Sequence, residues 1–296
     1  MSAPPAATQT PITGHKERGR VLGAIFYLLL LLSISVGLAL LVTLLVDILR
    51  RGIPHLTRTL LFDVPSVDPA IAGARPAILG TLYLMLLVFL FSVPIGVGTA
   101  LYLEEYARRE RWYNRLLEVN IQNLAAVPSI IYGILGLAFL VRGLGLGRVL
   151  LAGALILTLL VLPVVIIAAR EAIRAVPSSI RDGAYALGAT QWQVIWRQVL
   201  PAALPGIATG TILALSRAIG ETAPLLVVGA GVSLRFNPDG LDSSFTALPI
   251  QIFAWTQDPN QEFVARAAGA ICVLMIILLL MNSVAIWLRN RYEQKW

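Results

Sequence analysis

The chain has 296 residues, 57% hydrophobic and only 13% charged, with a formal net charge of +7 and a mean hydropathy of +0.80. A soluble domain cannot bury that much apolar surface, and continuous apolar runs without period-two alternation exclude a transmembrane barrel. The composition specifies an all-α polytopic membrane protein. Its single cysteine, Cys272, excludes a disulfide and Cys-based metal sites; His15 and His55, with no second ligand spaced nearby, read as solvated side chains.

In chain order, residues 1–20 are rich in Pro, Ala and Thr and predict a disordered cytoplasmic tail. Residues 21–296 form one transmembrane domain. Runs of roughly 20 apolar residues cross a ~30 Å hydrocarbon core as helix, and the sequence places six, at 21–49, 77–103, 119–141, 149–169, 203–231 and 264–288. The first is too long for a signal peptide's apolar core and lacks a small-residue cleavage site, so it reads as a retained span. Pro94, Pro128 with Ser129, and Pro163 predict kinks in spans two, three and four, and Thr158 predicts a bond back to its own helix. With both termini cytoplasmic, the inner segments carry twice as many Lys and Arg as the outer loops, which sets the expected orientation. The positive charge is thereby spent on membrane flanks rather than on nucleic acid.

The fifth apolar run contains "LALSRAIGETAPLLVV", residues 213–228. A charge at mid-bilayer costs about 2.5–3.5 kcal/mol even on lenient insertion scales, so Arg217 and Glu221 require a reason to be there. On one continuous helix, Gly206, Gly210, Ala214, Arg217, Glu221 and Pro224 share a face. Small residues on that face let a neighbouring helix approach closely, so the pair is expected to point into the bundle or a cavity. Ser216 and Thr222 add hydroxyls. Two readings follow: an ion pair that locks helices together, or a guanidinium station for a tetrahedral oxyanion with Glu221 as its counter-charge. A third makes Glu221 the proton carrier of an ion-coupled secondary transporter, although no inverted repeat is visible.

The cytoplasmic segment 168–206 predicts two short helices around a turn. Ser178 or Ser179 opens the first after Pro177, Gly188 closes it, and Thr190 with Gln193 forms a capping box for the second. Trp192, Val194, Ile195 and Trp196 give the second an apolar side, and Leu200-Pro201 is expected to end it before span five. Such a hairpin either simply connects spans or docks a cytoplasmic partner. The outer loop 231–263 predicts an interfacial helix over "FTALPIQIFAW", anchored by Phe253 and Trp255. The only lysines are Lys16 and Lys295, and no G-x-x-x-x-G-K-[ST] loop exists. The chain therefore offers no ATPase or other enzymatic motif, and uphill transport would need an ion gradient or a partner.

The cytoplasmic segment resembles the loop E-A-A-x3-G-x9-I-x-L-P by which membrane subunits of ABC importers dock onto their ATPase. Here the pattern falls on Asp182, Gly183, Ala184, Gly188, Gln198, Leu200 and Pro201, with Asp182, Gly183 and Gln198 departing from it. Together with "NLAAVPSIIYGILGL" (123–137), "EAIRAVPSSIRDGAYALGAT" (171–190) and "RAIGETAPLL" (217–226), it makes the chain similar to PstA-type permeases of phosphate importers. These belong to the binding-protein-dependent transport permeases; the related PstC-type subunits typically continue "GETMAV" instead. The resemblance implies a type I ABC importer permease in the cell inner membrane, importing phosphate. It implies a PstC-like permease partner, a cytoplasmic PstB-like ATPase dimer carrying ATP and Mg, and an extracytoplasmic PstS-like phosphate-binding protein. No cofactor is implied for this chain. Arg217, Glu221 and Thr222 would line the substrate pathway. Asp182, Gly183, Ala184, Gly188, Leu200 and Pro201 would couple to the ATPase.

Overall fold

The structure is a computed structural model that describes residues 14–108, 111–231 and 234–292. It divides into two compact units, Met1–Arg50 and Arg51–Trp296. The first contains nearly all of the long helix α1 (Gly14–Gly52), whose stretch 21–46 is almost wholly apolar. It begins inside the segment expected to be a disordered tail, because the apolar run propagates helix backwards through "GHKERGR". Residues 1–13 of that tail lie outside the described residues.

Among its described residues, every regular element of the second unit is helical. A short α2 (Arg58–Phe62) precedes α3 (Arg75–Leu101), which continues through a π turn to Tyr106. Then follow α4 (Trp112–Ala125), α5 (Ser129–Gly136) with a π extension to Gly143, and α6 (Leu150–Arg174). Helices α7 (Ser178–Ala186) and α8 (Gln191–Val194) form the hairpin expected to be cytoplasmic. The chain ends with α9 (Leu200–Ala218), α10 (Ala223–Val228), α11 (Leu248–Thr256) and α12 (Gln261–Tyr292). Among the described residues, five helices are long and apolar enough to cross a membrane, and six if the bent pair α4–α5 is one span.

Helix α6 is the centre of the bundle and packs against both α3 and α9. Its Ile156, Leu157, Val161 and Val165 are fully buried. The small residues of α9 do what their spacing predicts: a β-carbon on Gly206 would lie 2.7 Å from Cβ of Ala172, so α9 and α6 meet almost backbone to backbone. Thr158 donates to the Ala154 carbonyl at 2.7 Å, as expected. Pro94 and Pro163 sit inside unbroken helices.

Three expectations are corrected. Span three is two helices meeting at 105°, not one kinked helix. Pro128 forces Val127 out of helical geometry and removes a donor, and the Tyr132 hydroxyl fixes the corner by donating to the Leu124 carbonyl at 2.8 Å. Span five is broken after Ala218 rather than continuous to residue 231. The loop helix α11 is packed into the bundle rather than lying free on its surface. Its Leu248, Ile250, Gln251 and Trp255 are buried, and the Leu248 amide donates to Thr81 Oγ1 of α3 at 2.8 Å. Only Phe253 of its expected anchors is exposed.

Candidate functional site

Gly220 and Pro224 explain why α9 stops. Glycine leaves a helix at little cost. Pro224 lacks an N–H, and its ring clashes with the carbonyl four residues back, which belongs to Gly220. The chain turns through Ile219–Thr222 and restarts as α10 with Pro224 in its first turn. Arg217 therefore sits in the last turn of one half-helix, and Glu221 lies in the break. Their shared face on a single continuous helix does not exist.

The pair nonetheless closes across the break. Arg217 Nε donates to Glu221 Oε1 at 3.3 Å, with the arginine side chain 50% exposed and the glutamate 16%. Both belong to one segment, so the contact ties no second helix. Among the described residues the guanidinium has no other hydrogen-bond partner, leaving most of its five donors unused. Thr222 is half-buried and its hydroxyl donates to the Gly220 carbonyl at 3.4 Å.

The two sides of the break are held separately. On the α9 side, the Ser216 hydroxyl donates to Asn282 Oδ1 of α12 at 2.9 Å. On the α10 side, Pro224 seats against α5, where a β-carbon on Gly133 would come within 2.7 Å of the Pro224 Cα. The neighbouring Tyr132 is within electrostatic reach of the Arg217 charge. An exposed, under-satisfied guanidinium between two anchored half-helices can exchange its carboxylate partner for a mobile anion without losing its charge compensation.

The α7–α8 hairpin carries the residues expected to couple. Asp182, Gly183 and Gly188 are exposed; Ala184, Leu200 and Pro201 are half-buried. Gly188 has φ +80, a conformation only glycine adopts without strain. The Thr190–Gln193 capping box is present: the Thr190 amide donates to Gln193 Oε1 at 2.9 Å, and the Gln193 amide to Thr190 Oγ1 at 3.4 Å. A hollow of about 440 Å³ opens beside Leu187, Gly188 and Gln193, with Gln198 in its wall. The expected apolar side of α8 is split, with Val194 and Ile195 buried and Trp192 and Trp196 exposed, their rings stacked at 5.3 Å.

Leu200-Pro201 does not end α8. Residues Ile195–Val199 form a π turn that carries the helix without interruption from Gln191 to Ala218. The wider turn relieves the clash between the Pro201 ring and the Arg197 carbonyl. The second hairpin helix, α8, and the Arg217 half-helix are therefore one rod.

Sequence reasoning missed a cluster of charges at the hairpin end of the bundle, having treated its members as flanking charges. Glu104 accepts from Arg170 Nε at 2.9 Å and from Arg174 at 2.8 Å, and Arg170 also reaches Glu118 at 2.8 Å. Next to it, Arg181 of α7 donates to Glu105 at 2.8 Å and to the carbonyls of Val176 and Ile173 at 2.7 and 3.0 Å. Gln191 Nε2 donates to the Glu105 carbonyl at 2.7 Å. The cluster ties α3, α4 and α6 to the hairpin. The only sequence signal is a Glu104-Glu105 pair just beyond an apolar span.

A polytopic bundle in which a helical hairpin runs on into a broken, charge-bearing span fits a transport permease. The chain belongs to the family described as the binding-protein-dependent transport system inner membrane component, which matches residues 92–296. It is 36% identical over 217 residues to the phosphate transport system permease protein PstA 1 of Mycobacterium tuberculosis (strain CDC 1551 / Oshkosh), covering 73% of this chain and 70% of that protein. With the phosphate transport system permease protein PstA of Mycobacterium leprae it shares 35% over 253 residues, covering 83% and 81%. Its fold matches a chain of a bacterial alginate ABC transporter, solved in complex with an alginate pentasaccharide-bound periplasmic protein. That match has a TM-score of 0.64 at 18% identity, over 93% of this chain and 96% of that one.

Proposed function

We propose that this chain is the transmembrane permease subunit of an ABC importer that moves inorganic phosphate into the cell, powered by ATP hydrolysis on partner subunits. The observation that carries the reading is the Arg217–Glu221 pair set at a helix break, in a chain whose relatives are named phosphate transport permeases. Guanidinium suits phosphate because its planar fork matches tetrahedral oxyanions and is less strongly hydrated than ammonium. Glu221 holds Arg217 when the path is empty and competes with phosphate when it is occupied, so the station binds weakly enough to release. Thr222 offers a hydroxyl beside it.

The partners are a PstC-like permease, a PstB-like ATPase dimer that holds ATP and Mg, and a PstS-like extracytoplasmic phosphate-binding protein. The ATPase meets the face around Asp182, Gly183, Ala184 and Gly188, which together with both termini lies in the cytoplasm. Leu200 and Pro201 lie on the rod that couples this face to the path. Because the rod is unbroken from Gln191 to Ala218, movement of the hairpin arrives at the break beside Arg217. The far half-helix α10 stays with α5, so the break is where the two sides part.

The test is radiolabelled phosphate uptake in cells expressing all subunits, with this chain wild type or Arg217→Gln and the ATPase recovered with each. Uptake lost in an assembled mutant is the expected result. Full uptake by the mutant removes Arg217 from the path, and uptake persisting without any ATPase replaces the reading with ion-coupled transport. Excess unlabelled sulfate or molybdate that blocks uptake as well as phosphate does would widen the substrate to oxyanions generally.

A further inference from the structure

The other end of α10 carries a second arginine in an unusual condition. Arg148 precedes α6 at the end remote from the hairpin, and its side chain lies along Gly229, the residue that closes α10. A β-carbon there would stand 2.9 Å from both Cδ and Nε of Arg148 and 3.1 Å from Cζ. Gly229 has φ +85, so glycine both closes the helix and leaves room for the guanidinium.

An arginine beside a helix C-terminus is ordinarily there to satisfy its carbonyls. Here the backbone does that itself: the Gly229 amide donates to the Leu226 carbonyl at 3.0 Å and the Ala230 amide to the Leu225 carbonyl at 3.1 Å. Arg148 is exposed. Among the described residues it has neither a carboxylate partner nor a hydrogen bond, so all five donors are available. Helix α10 is six residues long, about 9 Å at 1.5 Å per residue. Arg217 lies in the last turn of α9, across the break from the first residue of α10, and the unpartnered Arg148 lies beside Gly229 at its other end.

We propose that Arg148 is a second anion station, outward of Arg217, which captures phosphate from the extracytoplasmic side and passes it along α10. This rests on the phosphate reading above. Two weak cationic stations in sequence favour entry without a deep well from which the anion could not leave.

The experiment measures phosphate uptake at limiting and at saturating phosphate by the full transporter carrying Arg148→Lys, Arg148→Gln or Arg148→Glu. Arg217→Gln is the control, and ATPase recovery reports assembly. At limiting phosphate, Lys should stay within about twofold of wild type, Gln should fall roughly tenfold, and Glu should fall further. The differences should narrow at saturating phosphate and at raised ionic strength. Assembled Gln complexes that match wild type overturn the proposal, as do Gln and Glu variants that fall equally. Loss of assembly with Gln but not with Lys overturns it too, by assigning Arg148 to the fold. A wild-type complex that imports sulfate but not phosphate overturns the substrate reading alone, because the same charge series is then read on sulfate.

Discussion

Two arginines lie within apolar spans, and the fold treats them in opposite ways. Arg266 of α12 is 9% exposed and points both ends of its guanidinium at the backbone, donating to the carbonyls of Ala70 and Ala72. Asp68 and Glu262 lie within its electrostatic reach. Arg217 of α9 is half-exposed and makes a single 3.3 Å bond to a side chain in its own segment. Backbone carbonyls cannot let go without unfolding the loop that carries them, whereas a glutamate can rotate away. A saturated buried cation holds structure, and an under-satisfied exposed one is available to a ligand.

That contrast can be broken most directly at Arg217. Arg217→Gln should reduce phosphate uptake to background while the complex still assembles, since the pair ties no second helix. Equal loss of assembly in both arginine mutants would erase the distinction. A second large effect belongs to Glu104, which is buried with Arg170 on the structural side of the comparison. Glu104→Gln leaves Arg170 with Glu118 as its remaining carboxylate and should cost about 3 kcal/mol, the low end for a broken buried pair, read as a lowered unfolding temperature of the detergent-solubilised complex. Arg266→Gln should cost about 3 kcal/mol by stranding two carbonyls that had charge-assisted bonds. Its mark is reduced yield of assembled transporter with normal uptake per assembled complex, the reverse of Arg217→Gln. The smallest effect is at the hairpin, where Thr190→Ala removes one side of the capping box and should cost about 1 kcal/mol. Hydrogen exchange at Gln191–Val194 should rise while uptake falls only slightly; unchanged exchange would mean that packing of Val194 and Ile195 alone holds this turn.

Much of this was readable along the chain because it depends on near neighbours. Thr190 finds Gln193 three residues on, Thr158 finds Ala154 four residues back, and Gly188 supplies its own conformation. The spans follow from apolar run length alone. Pro94, Pro128, Pro163 and Pro201 were legible as disturbances but not in size, and Pro224 was read as lying within a continuous helix. Pro94 and Pro163 leave helices unbroken, Pro201 is absorbed by a π turn, and Pro128 and Pro224 end a helix outright. The difference lies in what waits on the other side: Tyr132 pins the corner at Pro128, and the gap over Gly133 receives Pro224.

The candidate site divides in the same way. The sequence by itself determined that Arg217 and Glu221 must be compensated, because charges in an apolar run carry a desolvation cost wherever they fall. It also determined the hairpin and most of the long apolar helices. Only the tertiary structure decided that the pair straddles a break, that α8 and α9 are one rod, and that Arg148 stands unpartnered over Gly229. The same holds for the bonds from Arg170 and Arg174 to Glu104, which join residues 66 and 70 positions apart. Hydropathy and capping act over one helical turn; which charges meet, and which are left without a partner, is settled by how helices distant in sequence are packed.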